Sequence, residues 1–193
     1  MGFWDALLGR AKVPPAQSEA LFALTTARFT LEAEAGWKPA GRAGIVIRPA
    51  EDSAFKGVTE EAERLLKLAA QEMGSHIEVL KDEYSYLWFV FKDRDWEDLV
   101  ALAHMAGQTL MEQGFGDRLL AAVFKLQKEG SSDAVLYLIF NYKRGNFYPF
   151  LPYPGKDKER DHAGEMRLFA LLEKELPWEK DLSRWYPLWD NPV

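Results

Sequence analysis

The chain has 193 residues, 48% of them apolar, with seven tryptophans, no cysteine and a formal net charge of -6. A chain of this size and apolar content can bury a full core without disulfides or metals. The lack of thiols excludes a disulfide scaffold, a thiolate zinc site, an iron–sulfur cluster and a cysteine nucleophile. Acidic and basic residues are mixed, as in Lys156-Asp157-Lys158-Glu159-Arg160-Asp161, which reads as a solvated loop or helix start. A coherent basic face for a nucleic-acid backbone is therefore not expected.

No apolar run reaches the length of a membrane span. The first residues, Met1-Gly2-Phe3-Trp4-Asp5-Ala6, lack the basic region and long apolar core of a signal peptide. Ala6 also breaks the myristoylation pattern. The expected location is the cytoplasm. Phe3, Trp4, Leu7 and Leu8 fall at helical spacing, and Val13-Pro14-Pro15 then interrupts the chain, so residues 1–15 read as an arm on a single domain.

Ser18 is a candidate N-cap for a helix through about Leu24. Residues 28–35 alternate Phe29, Leu31, Ala33 and Ala35 with polar positions and predict a half-buried strand. Residues 36–41 predict a turn, and Ile45-Val46-Ile47 a strand ended by Pro49. Phe55, Val58, Ala62, Leu65, Leu66, Ala69 and Met73 recur at three and four, the strongest amphipathic helix in the chain, with Gly74 at its C-terminal stop. Strands follow at 76–81 and 84–91. Asp93 or Asp95 then caps a helix that carries Trp96, Leu99, Val100, Ala103, Leu110 and Met111. Residues 118–127 and 134–142 predict a hairpin, and Arg144-Gly145-Asn146 a turn into a short last strand. A helix over about 159–175 precedes a tail, 177–193, rich in tryptophan and proline and irregular in expectation. The strand–helix–glycine–strand order occurs twice, which reads as packed units of one kind rather than as a duplication. The fold class is α+β, a largely antiparallel sheet with helices on one side.

No recognisable catalytic constellation stands out. The three histidines, His76, His104 and His162, lie outside any nucleophile elbow. Asp93, Asp95 and Asp98 cluster without the glutamate and glycine of a calcium loop, and helix capping accounts for them. No glycine-rich loop joins a strand to a helix as a phosphate cradle requires. No cofactor or metal is expected. The aromatic density instead lies in Tyr142-Lys143-Arg144-Gly145-Asn146-Phe147-Tyr148-Pro149-Phe150 and in Leu182-Ser183-Arg184-Trp185-Tyr186-Pro187-Leu188-Trp189. Trp, Tyr and Arg dominate interface hot spots. Arg144, Phe147, Tyr148, Trp185, Tyr186 and Trp189 are therefore the candidate partner-binding residues, with Phe3 and Trp4 as a second patch. Within the first segment, strand alternation sends only one of Phe147 and Tyr148 to each side of a sheet. For the tail, strapping across the core is the competing use.

These segments, with Met1 to Arg10, Gly41-Arg42-Ala43-Gly44, Asp82-Glu83-Tyr84-Ser85-Tyr86-Leu87-Trp88 and Asp181 to Trp189, resemble the PspA-associated protein PspAB family over essentially the whole chain. The resemblance implies a bacterial or archaeal protein tied to phage shock protein A, a coiled-coil protein that assembles on stressed membranes. The expected function is then a non-enzymatic adaptor or regulator in membrane stress, touching the membrane only through its partner. The element order loosely resembles type III secretion chaperones and YbjN-like domains. The competing expectations are a small-molecule binder or hydrolase using Asp93, Asp95 and His104, and a homodimer closed by the aromatic segments.

Overall fold

The computed structural model describes residues 15–50 and 53–193. A 3-10 segment, Pro15–Phe22, leads into α1 (Ala23–Ala35), followed by β1 (Trp37–Ile47), α2 (Ser53–Met73), β2 (His76–Lys81), β3 (Leu87–Lys92), α3 (Trp96–Glu112), β4 (Leu119–Lys128), β5 (Val135–Asn141), β6 (Asn146–Phe150) and α4 (His162–Leu171). The strands form one sheet in the order β2-β3-β1-β4-β5-β6, and every neighbouring pair is antiparallel. The fold is α+β, as the sequence predicts.

The strand expected at residues 28–35 is instead the second half of α1. Leu24, Ala27 and Leu31 are the buried positions, a helical spacing, while Phe29 is 61% exposed. Strong helix formers fill the segment until Gly36, which ends it in the left-handed region at φ 61°. The turn expected at 36–41 is the start of β1. There the register slips between Pro39 and Arg42, and Gly41 sits at φ 71°. A side chain on Gly41 would lie 2.9 Å from the Asp93 carbonyl oxygen, so the bulge requires glycine for two reasons. The last helix is shorter than expected, 162–171 rather than 159–175.

One face of the sheet carries Ile45, Phe89, Phe124, Phe140 and Phe147, packed under the helices with Leu66 of α2, Leu99 of α3 and Leu168 of α4. The Asp95 side chain caps α3 by accepting from the backbone N–H groups of Glu97 (2.9 Å) and Asp98 (3.4 Å). Gly107 lets α3 approach the sheet, because a Cβ there would lie 2.7 Å from the Tyr142 hydroxyl. That hydroxyl donates to the Ala103 carbonyl at 3.3 Å. The opposite face carries Val46, Trp88, Val90, Val123, Ile139, Tyr148 and Phe150, and it is covered by Trp185, Leu188 and Val193 of the tail. The helices thus lie on one side, and the tail straps the other. Among the described residues no helix is long and apolar enough to cross a membrane.

Candidate partner-binding surface

The β5–β6 turn and the tail are neighbours. Phe147 donates its N–H to the Pro177 carbonyl at 2.7 Å and accepts from the Glu179 N–H at 2.8 Å, so the tail runs parallel to β6 there. The turn itself closes through Arg144 and Gly145, whose N–H groups donate to the Asn141 carbonyl.

The predicted contact residues divide by burial. Phe147 and Tyr148 have no exposed surface. Alternation sends them to opposite faces, as expected, but both faces are covered. Phe147 packs 4.9 Å from the Phe140 ring on the helical side. Tyr148 lies under the strap, where burial pushes its phenol well above the ordinary range and its hydroxyl has no hydrogen-bond partner among the described residues. Trp185 is buried as well, and its Nε1 donates to the Glu179 carbonyl at 2.8 Å. These three are core residues in this fold and have no free surface for a partner. Trp189 and Tyr186 are half-buried, and Trp189 packs edge-on against Phe150 at 4.8 Å. Arg144 alone of the described set is exposed, with 40% of its side chain accessible. Phe3 and Trp4 lie outside the described residues.

Arg144 reaches a group that sequence reasoning missed. Its Nε lies 3.6 Å from Oε2 of Glu179, whose side chain is buried. From the other side, Arg184 places Nη1 3.7 Å from Oε1 of Glu179 and Nε 3.0 Å from Oδ2 of Asp181. The hydroxyl and backbone N–H of Ser183 both donate to Asp181, and the hydroxyl bond is the larger cause holding that carboxyl below its usual range. Neither contact of Glu179 with a guanidinium is a close hydrogen bond. Arg144 and Arg184 keep 40% and 37% of their side-chain surface accessible. Beside them Leu182 is 54% exposed. Arg144 and Arg184 thus meet two carboxylates, Glu179 and Asp181, the first of them buried. This cluster was not visible as a run, because the tertiary fold joins two segments 35 positions apart.

The run ending in Arg160-Asp161 is not all solvated. Lys156 and Glu159 form an exposed pair at 3.1 Å, as that reading expects. Arg160, however, keeps only 9% of its side chain exposed and pairs at 2.8 Å with Glu165, which has no exposed side-chain surface. It also donates to the Trp185 carbonyl at 2.6 Å and the Pro149 carbonyl at 3.2 Å. Charge sequence alone could not tell this residue from its neighbours.

Asp93, Asp95 and His104 do not converge. Asp95 is the α3 cap, and Asp93 accepts from the Asp95 N–H at 2.8 Å and from the Ser75 hydroxyl. His104 is nine positions further along the helix, roughly 13 Å by the helical rise, with its ring 4.8 Å from Phe22. Among the described residues no group of three His, Cys, Asp or Glu side chains is placed to hold a metal. A cavity of about 640 Å³ lies between α4 and the start of β1, lined by Trp37, Lys128, Leu151, Arg167 and Leu168 among others, and none of the three residues borders it.

The family model for PspAB, PspA associated protein B, matches residues 1–193, the whole chain. The chain belongs to the PspA associated protein B family. The resemblance carried by its aromatic segments is thereby established. No curated protein matches the chain.

Proposed function

We propose that this chain is a non-enzymatic adaptor that binds PspA, and that the contact is the surface built by Arg144, Arg184 and Leu182. The family description supports a PspA link. The observation that carries the site is the convergence of Arg144 and Arg184 on buried Glu179, beside an exposed leucine. Arginines held in place lose less entropy on binding, and their planar donor forks match carboxylates. An acidic, leucine-bearing helix face is the complementary chemistry. Tyr186 and Trp189, half-buried on the strap, are its remaining candidate residues. On this reading the protein works in the cytoplasm during membrane stress and meets the membrane through its partner. Phe147, Tyr148 and Trp185 hold the surface in place from below.

The test is capture of purified PspA by wild type and by Arg144→Glu/Arg184→Glu, with circular dichroism confirming that both are folded. The expected result is at least a tenfold loss of capture, about 1.4 kcal/mol. Absence of any wild-type complex would remove the central claim. Equal capture by both would remove the site and leave the partner.

A further inference from the structure

The two edges of the sheet are treated differently. The Asp82 N–H donates to the Tyr86 carbonyl at 3.0 Å, which makes Asp82 and Tyr86 a hydrogen-bonded antiparallel pair. Counting back in steps of two along the β2–β3 register, Leu80, Glu78 and His76 bond toward β3. Ile77, Val79 and Lys81 therefore point their N–H and C=O groups away from the sheet. The same alternation, carried across to β6, points Phe147 and Pro149 outward. On that edge every outward group is accounted for. Phe147 is bonded on both sides by the tail, Pro149 has no N–H, and its carbonyl accepts from Arg160 at 3.2 Å. Just beyond the strand, the Leu151 N–H donates to Glu165 at 2.8 Å and its carbonyl accepts from the Asp161 N–H. Among the described residues β2 pairs only with β3, with no proline, bulge or covering segment on its outer side. An open edge of this kind is a template for another strand.

We propose that β2 pairs antiparallel with β2 of a second copy of this chain, about a two-fold axis at Val79, joining two six-stranded sheets into one. Charge selects this register. With the axis at Val79, His76 lies opposite Asp82, Ile77 opposite Lys81, and Glu78 opposite Leu80. An axis at Glu78 would set that carboxylate against itself, and one at Leu80 would set Glu78 against Asp82. Like charges directly opposite are destabilising. An axis at Lys81 would oppose two lysines, and one at Ile77 would leave Leu80 and Lys81 with no β2 residue opposite. Glu78 already bonds Lys92 of β3 at 2.6 Å, so a leucine opposite it leaves that pair intact. The seam is one strand wide, at the small end of protein interfaces, so the dimer forms and dissociates with concentration. It lies at the opposite end of the sheet from the PspA surface proposed above and stands independently of it.

The test is sedimentation of the full chain over a wide concentration range, together with two variants. Wild type should double in mass as concentration rises. Lys81→Pro removes an N–H that no native bond uses, so it should stay monomeric with an unchanged dichroism spectrum. Because the chain has no cysteine, Val79→Cys should form a single intermolecular disulfide under mild oxidation. A wild type that stays monomeric at all concentrations would overturn the proposal. So would a dimer that persists in Lys81→Pro while Val79→Cys fails to cross-link, because the contact would then be another face. A β2 edge that captures only an extended segment of a different protein would also sink it.

Discussion

The two faces of the sheet bury similar side chains under different kinds of cover. On the helical face Phe89, Phe124, Phe140 and Phe147 lie beneath segments whose backbone bonds are satisfied within the helices. On the strap face Trp88, Tyr148 and Phe150 lie beneath a tail with little regular structure, whose carbonyls are met by side chains from elsewhere. Arg160 donates to Trp185, Arg42 to Pro192 at 2.7 Å, and Lys125 to Val193 at 3.1 Å. A helix spreads its attachment along a stripe, whereas a strap concentrates it at a few anchors. A single substitution on the strap face should therefore cost more than its contact area suggests.

The sharpest way to break this contrast is Arg160→Ala, which takes the guanidinium from the buried Glu165 and frees two carbonyls. Removing one partner of a buried ion pair costs about 3–5 kcal/mol. At about 2–4 °C per kcal/mol for a chain of this size, the melting temperature should fall by on the order of 10 °C. A loss below about 1 kcal/mol would mean that the strap is not anchored there. Next is Trp185→Ala, a truncation worth about 3 kcal/mol. Its mark should be local: hydrogen exchange should speed up in 177–193 while helical dichroism is kept. If helices and strap lose protection together, the two faces are one cooperative unit.

Gly44→Ala compares the faces directly with Gly107→Ala. At Gly44 a Cβ would lie 2.9 Å from both the Phe89 carbonyl oxygen and the Val193 side chain, and at Gly107 it would lie 2.7 Å from the Tyr142 hydroxyl. Overpacking of this kind costs about 1–3 kcal/mol by urea denaturation. The strap-face change should loosen the tail, whereas the helix-face change should lower global stability alone. Asp95→Ala removes the α3 cap and should cost about 1 kcal/mol, without any effect on exchange in the tail. The smallest effect concerns pH. Burial beside Phe22 lowers the His104 pKa below its usual value near 6.5. The unfolded chain then binds the proton more readily, so this contribution is full above pH 6.5 and is lost as pH falls toward the folded-state value. Urea midpoints at pH 7.5 and 5.5 should differ less in His104→Gln than in wild type.

Much of this architecture was legible in the chain. The amphipathic repeat from Phe55 to Met73, the Asp95 cap and the hairpin around Gly130 each depend on neighbours within a few positions, so local pattern was enough. Residues 28–35 were misread because a strand period and a helix period both fit eight residues, and burial of Leu24, Ala27 and Leu31 against α3 and the sheet decided between them. The candidate surface was half legible. Aromatic and arginine density marked two segments that the fold brings together, and their adjacency followed from neither alone. Phe147, Tyr148 and Trp185 have the composition of a hot spot, and composition does not distinguish an interface from a core.

The sequence by itself determined the fold class, the order of most elements and the absence of thiol chemistry, because periodicity, breakers and composition are local properties of the chain. Only the tertiary structure decided that the tail covers the second face of the sheet, that Arg160 is mostly buried while Lys156 is not, and that Arg144 and Arg184 meet at Glu179. Those outcomes depend on which distant segments exclude water from one another, and burial of that kind belongs to the packed molecule rather than to any stretch of residues.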